Sequence, residues 1–66
     1  MLTRLTSKQR EVCDFIVQGM TNKEISVRMG ISHRTVEDHR HCTFKKLGVH
    51  NAAQLVRKVL LEGRPA

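Results

Sequence analysis

The sequence predicts an all-α fold, a compact four-helix domain in which the second and third helices form a helix-turn-helix. Three observations lead there. Apolar residues recur at spacings of three and four, glycine punctuates the chain at Gly19, Gly30, Gly48 and Gly63, and a capping side chain stands ahead of each periodic stretch. At 66 residues the chain makes a single domain, residues 1–66. A domain this small buries only about 60% of its unfolded surface, so its core must come from a few tightly packed elements.

The first helical stretch is "TSKQREVCDFIVQG". Thr6 with Gln9 three residues on forms a capping box. Val12, Cys13, Phe15 and Ile16 share one side of the wheel, with Glu11, Asp14 and Gln18 on the other. "TNKEISVRMG" repeats the logic over about two turns, with Thr21 and Glu24 as a second capping box and Ile25 and Met29 four apart. Gly30-Ile31-Ser32 then form a tight turn, Ile31 plugging the core and Ser32 capping the next helix.

The third helix runs from about His33 to Leu47. At 100° per residue, Val36, Thr43 and Leu47 fall on one side, while Arg34, Glu37, Asp38, His41 and Lys45 gather in a wholly polar band opposite. Such a helix has its back on a small core and its front in a groove. The fourth, "NAAQLVRKVLLEG", starts at Asn51 with Gln54 as reciprocal cap. Its broad face of Ala52, Leu55, Val56, Val59 and Leu60 has apolar surface to spare for a partner. Residues 64–66 read as a frayed end.

Composition narrows the partner. Twelve Lys and Arg against six acids give a net charge of +6, a surplus suited to nucleic acid or an anionic surface. Stacking platforms for single strands need exposed rings, and Phe15 and Phe44 are needed for the core, so duplex binding is favoured. Cys13 and Cys42 are too few for a disulfide framework and no stretch resembles a signal peptide, which points to reduced thiols in a cytoplasm. No apolar run approaches the roughly 18 residues a membrane span needs.

"LTSKQREV", "QGMTNKEIS", "MGISHRTVEDHR" and "KKLGVHNAAQLVRKVL" together resemble, in order, the pattern of the LuxR-type helix-turn-helix domain, also called GerE- or NarL/FixJ-type. The resemblance covers nearly the whole chain. It implies a DNA-binding output module of a bacterial transcription regulator, in the cytoplasm and on the nucleoid when bound, with the sensor or receiver elsewhere. It also implies that helix 3 enters the major groove, that the helix 2 N-terminus touches phosphates and that helix 4 forms a homodimer. Carried over, Glu37, Asp38 and His41 become base readers, and Thr21, Asn22, Lys23, Thr35 and Arg40 backbone contacts. Arg34 joins the readers by its place on the outer band, and Lys45 and Lys46 join the phosphate contacts by charge. Ala52, Leu55, Val56 and Val59 become the dimer contacts, with RNA polymerase as a further partner. Three positions depart from the family pattern: Thr43 is usually bulky and aliphatic, Ala52 is often Arg, and Glu37 is often Lys.

Acids on a groove-facing helix have a reason. A carboxylate accepts from cytosine N4 and repels phosphate, so it exchanges general affinity for discrimination of about 1 to 3 kcal/mol. Early-helix acids are also favoured by the macrodipole, and the two explanations coexist. His39, His41 and Cys42 invite a metal, but His41 points away from the other two and a zinc site needs about four ligands, so neither metal nor cofactor is expected. No phosphate loop or nucleophile motif suggests an enzyme. Two alternatives stand: a sigma-factor-like promoter module, which would not dimerise through helix 4, and a protein-interaction module, which would not retard any duplex.

Overall fold

The computed structural model describes residues 5–63, and residues 64–66, expected to fray, lie outside them. Within that span lie four helices: α1 Ser7–Val17, α2 Asn22–Met29, α3 His33–Leu47 and α4 Ala52–Glu62. The expected helix-turn-helix is α2, residues 30–32 and α3.

Each helix begins where a side chain satisfies the open backbone donors. Thr6 and Gln9 exchange hydrogen bonds of 3.1 Å each, and Thr21 and Glu24 exchange bonds of 2.8 and 3.2 Å, so both capping boxes close. Ser32 Oγ accepts the Thr35 N–H at 3.0 Å. A cap of this kind stabilises a helix by about 1 kcal/mol. At α4 the pairing differs from the reciprocal box that the sequence suggests. Asn51 Oδ1 accepts the Gln54 N–H at 2.9 Å, but the Gln54 side chain reaches one residue further back, to the His50 N–H at 2.7 Å.

Three helices stop by one device. The residue after the glycine donates its N–H five residues back, as Met20 to Phe15, Ile31 to Ser26 and Val49 to Phe44, at 3.0 to 3.1 Å. Gly30 at φ 67° adopts the left-handed conformation this closure requires. The device also turns an apolar residue inward: Val49 is buried, and Met20 and Ile31 pack against the core. At α1 the cap itself is Gln18, one residue before Gly19, and Gly63 ends α4 at φ 83° and ψ 178°, a positive-φ conformation away from the left-handed helical one.

α3 is the centre of the packing, against α1 on one side and α2 on the other, while α4 lies on α1. Val12, Cys13, Ile16, Ile25, Val36 and Leu55 form the closed interior. Thr43 is fully buried among them, and its hydroxyl donates to the His39 carbonyl at 2.7 Å. Phe44 packs against the same core from its edge, the compensation that a small residue at 43 calls for.

Leu55, expected at a dimer contact, faces the interior of its own domain. Leu55 has 0% of its surface exposed, because it is the residue by which α4 packs onto its own domain, and it has nothing left to offer a partner. Ala52 and Val59 also pack against the core, and Val56 is half-buried. The exposed large apolar residues of α4 are Leu60 and Leu61, at 78% and 75%. Leu60 lies one turn beyond Val56, so the open flank runs through that pair.

Candidate nucleic-acid interface

Burial of Val36, Thr43 and Leu47 turns the opposite side of α3 outward. Arg34, Glu37, Asp38, His41 and Lys45 are all exposed there. The two carboxylates are not alone. His33 Nδ1 lies 3.4 Å from Glu37 Oε2, and Arg34 Nε lies 3.5 Å from Asp38 Oδ1, each pair spanning one helical turn. In exposed positions such pairs contribute little stability, but they orient the acids.

Beside this face opens a shallow cleft of about 500 Å³ between the start of α2, α3 and the start of α4. Thr21, Asn22, Lys23, His33, Arg40 and Ala52 line it, together with Ile16, Gly19 and Met20. Because Thr21 Oγ1 takes the Glu24 N–H, the Asn22 and Lys23 N–H groups remain outside the intrahelical ladder at the positive end of α2. Arg40 is held in place: its Nη1 donates to Asn22 Oδ1 at 3.3 Å, and its guanidinium stands 4.8 Å from the Phe44 ring centroid. One of the five guanidinium donors is used in that bond. Thr35 is half-buried, its hydroxyl 2.8 Å from that of Ser32.

The structure thus gathers Thr21, Asn22, Lys23 and Arg40 in one cleft and sets Glu37, Asp38, Arg34 and His41 along the adjoining helix. Lys46 does not join them. Its ammonium is drawn toward α1, donating to Gln9 Oε1 at 2.8 Å, because position 46 turns well off the outer band. In the DNA-free chain the Lys46 ammonium is thus engaged in a tie between helices. Two features escaped the sequence reading: His33, which joins cleft to reading face, and the Asn22–Arg40 bond. His33 was signalled only by standing four residues before Glu37; the second pairing spans 18 residues and has no local signature.

Residues 3–59 match the family model described as bacterial regulatory proteins, luxR family. The chain belongs to that family. The solved "Structure of Transcription factor, GerE" superposes with this LuxR-family domain at a TM-score of 0.78 and 34% identity, covering 94% of this chain and 92% of that one. The transcriptional regulatory protein UhpA of Escherichia coli K12 is 42% identical over 55 residues, 83% of this chain and 28% of UhpA. The transcriptional regulatory protein MctR of Rhizobium johnstonii is 42% identical over 59 residues, 89% of this chain and 28% of MctR. The uncharacterized response regulatory protein YgeK of E. coli K12 is 40% identical over 60 residues, 91% of this chain and 41% of YgeK. The chain therefore spans less than half the length of UhpA, MctR and YgeK. It is a helix-turn-helix DNA-binding domain of the LuxR family, and among the described residues no helix is long and apolar enough to cross a membrane.

Proposed function

We propose that this LuxR-family domain recognises a specific duplex DNA sequence, by binding rather than catalysis, as the output part of a bacterial transcription regulator in the cytoplasm. The observation that carries the proposal is continuity: the fully polar flank of α3 adjoins a cleft that gathers Lys23, Arg40 and the open N–H groups of α2. Phosphate in the cleft fixes register, with Thr21, Asn22, Thr35 and Lys45 as further backbone contacts, and α3 then presents Arg34, Glu37, Asp38 and His41 to base edges. Two copies pairing through the Val56–Leu60 flank of α4 set their reading helices about 34 Å apart, on successive major grooves of a two-half-site operator.

Selection of duplexes from a random pool by the 66-residue chain, followed by affinity measured over a salt series, tests this. A two-half-site motif is expected, with a negative log–log slope of about 0.9 for each phosphate neutralised. A flat slope with no enriched motif would contradict the proposal and favour a protein-interaction role.

A further inference from the structure

We infer that His33 is a positioning residue for base reading, coupling the phosphate cleft to the Glu37 carboxylate through its own protonation. The inference rests on the DNA-reading proposal and deepens it.

His33 is the residue at which two surfaces meet. It lines the cleft together with Lys23 and Arg40, and across one turn its Nδ1 reaches Glu37 Oε2 at 3.4 Å. The imidazole is the only side chain whose ordinary titration falls between about pH 5 and pH 8. Every charged group facing it has a stated sign. Lys23 from α2 and Arg40 from α3, both cationic, line the cleft with it, the anionic Glu37 lies one turn along its own helix, and the remaining cleft residues from α1, the turn and α4 are uncharged.

A DNA phosphate seated in the cleft offsets both Lys23 and Arg40. A charged imidazole adds a further positive charge beside that phosphate, so protonation of His33 and DNA binding reinforce one another by linkage. Charged His33 then does two things. It adds a phosphate partner, and it holds one oxygen of Glu37 by an ion pair, leaving the other oxygen to accept from a base. With the imidazole neutral, Glu37 carries an uncompensated charge beside the backbone and its rotamers are released. Binding is therefore strongest below the imidazole range and weakens as pH rises through it.

The test is fluorescence anisotropy of the selected duplex with the 66-residue chain between about pH 5.5 and about pH 8 at fixed ionic strength, for the wild type, H33Q and H33K. His33 is more than half exposed, and circular dichroism checks that the variants fold. Wild-type affinity should rise about threefold to tenfold as pH falls, with the salt slope steepening by about 0.9 at the acid end. H33Q should lower this rise, leaving only the share of the other exposed histidines, among them His41 on the reading flank. H33K, with a fixed charge, should hold the acid-end salt slope across the whole range. A rise undiminished in H33Q, or no rise in the wild type, overturns the role of His33 while leaving DNA reading intact. No duplex binding at any pH overturns both.

Discussion

The Lys46 ammonium and the Gln9 side-chain carbonyl meet at 2.8 Å across the interface of α3 and α1, and the same oxygen closes the α1 capping box by accepting the Thr6 N–H at 3.1 Å. One acceptor thus serves two elements. Gln9 is 8% exposed, so the tie is sheltered at that end. K46A should lower stability by about 0.5 to 1.5 kcal/mol in urea unfolding and change DNA affinity much less than K45A. Q9A removes cap and tie together and should cost about 1 to 3 kcal/mol. Equal losses of DNA affinity in K45A and K46A would show that Lys46 leaves Gln9 for a phosphate.

Leu55 and Leu60 lie on one helix and should behave oppositely. L55A opens a cavity in a closed core and should cost about 2 to 5 kcal/mol, enough to unfold much of a domain this small. L60K changes a residue 78% exposed, so the thermal midpoint should hold while dimer formation weakens in sedimentation velocity. Unchanged self-association in L60K would move the dimer contact away from this flank.

Accepting the Thr21 backbone N–H, with the Thr21 hydroxyl beside it, holds the Glu24 carboxyl below its ordinary value of 4.5. A lowered folded value means that the carboxylate stabilises the native state above the unfolded value, and this contribution is lost as pH falls through the folded one. The α2 cap should therefore loosen only in acid, below about pH 4.5, seen as faster exchange of the first-turn amides. E24Q keeps an acceptor without the charge and should remove that acid sensitivity.

Thr43 is a polar residue in a closed core whose hydroxyl only doubles a carbonyl already bonded within α3. T43V removes the hydroxyl without leaving an unmet acceptor, and it should be neutral or stabilising by up to about 1 kcal/mol in thermal unfolding. A loss above that range would assign the hydroxyl a structural role beyond its own turn.

Local chemistry made most of the fold legible. Capping pairs such as Thr21 and Glu24, and a glycine such as Gly30, act over three to five residues, so spacing alone locates them. Apolar periodicity likewise gave Val36, Thr43 and Leu47 as the inner stripe of α3, and with it the outer face. What spacing cannot give is the direction taken by long side chains and the partition of a broad apolar face. Lys46 turns to Gln9, 37 residues away in sequence, and Leu55 is spent on the core although Val56 beside it is only half-buried. Both depend on where α1 sits relative to α3 and α4. The cleft is legible only in part for the same reason, since Asn22 and Arg40 meet only once α2 has packed on α3.

Under the proposed function the cleft positions DNA while the α3 flank reads it. The most direct test of that division measures K23A and E37Q against a panel of duplexes that differ from the selected site by single base pairs. K23A should weaken every duplex by about the same factor, whereas E37Q should change the preference at one base position, where discrimination of about 1 to 3 kcal/mol collapses. If both variants shift the whole panel uniformly, the carboxylate reads no base and the division between positioning and reading is wrong.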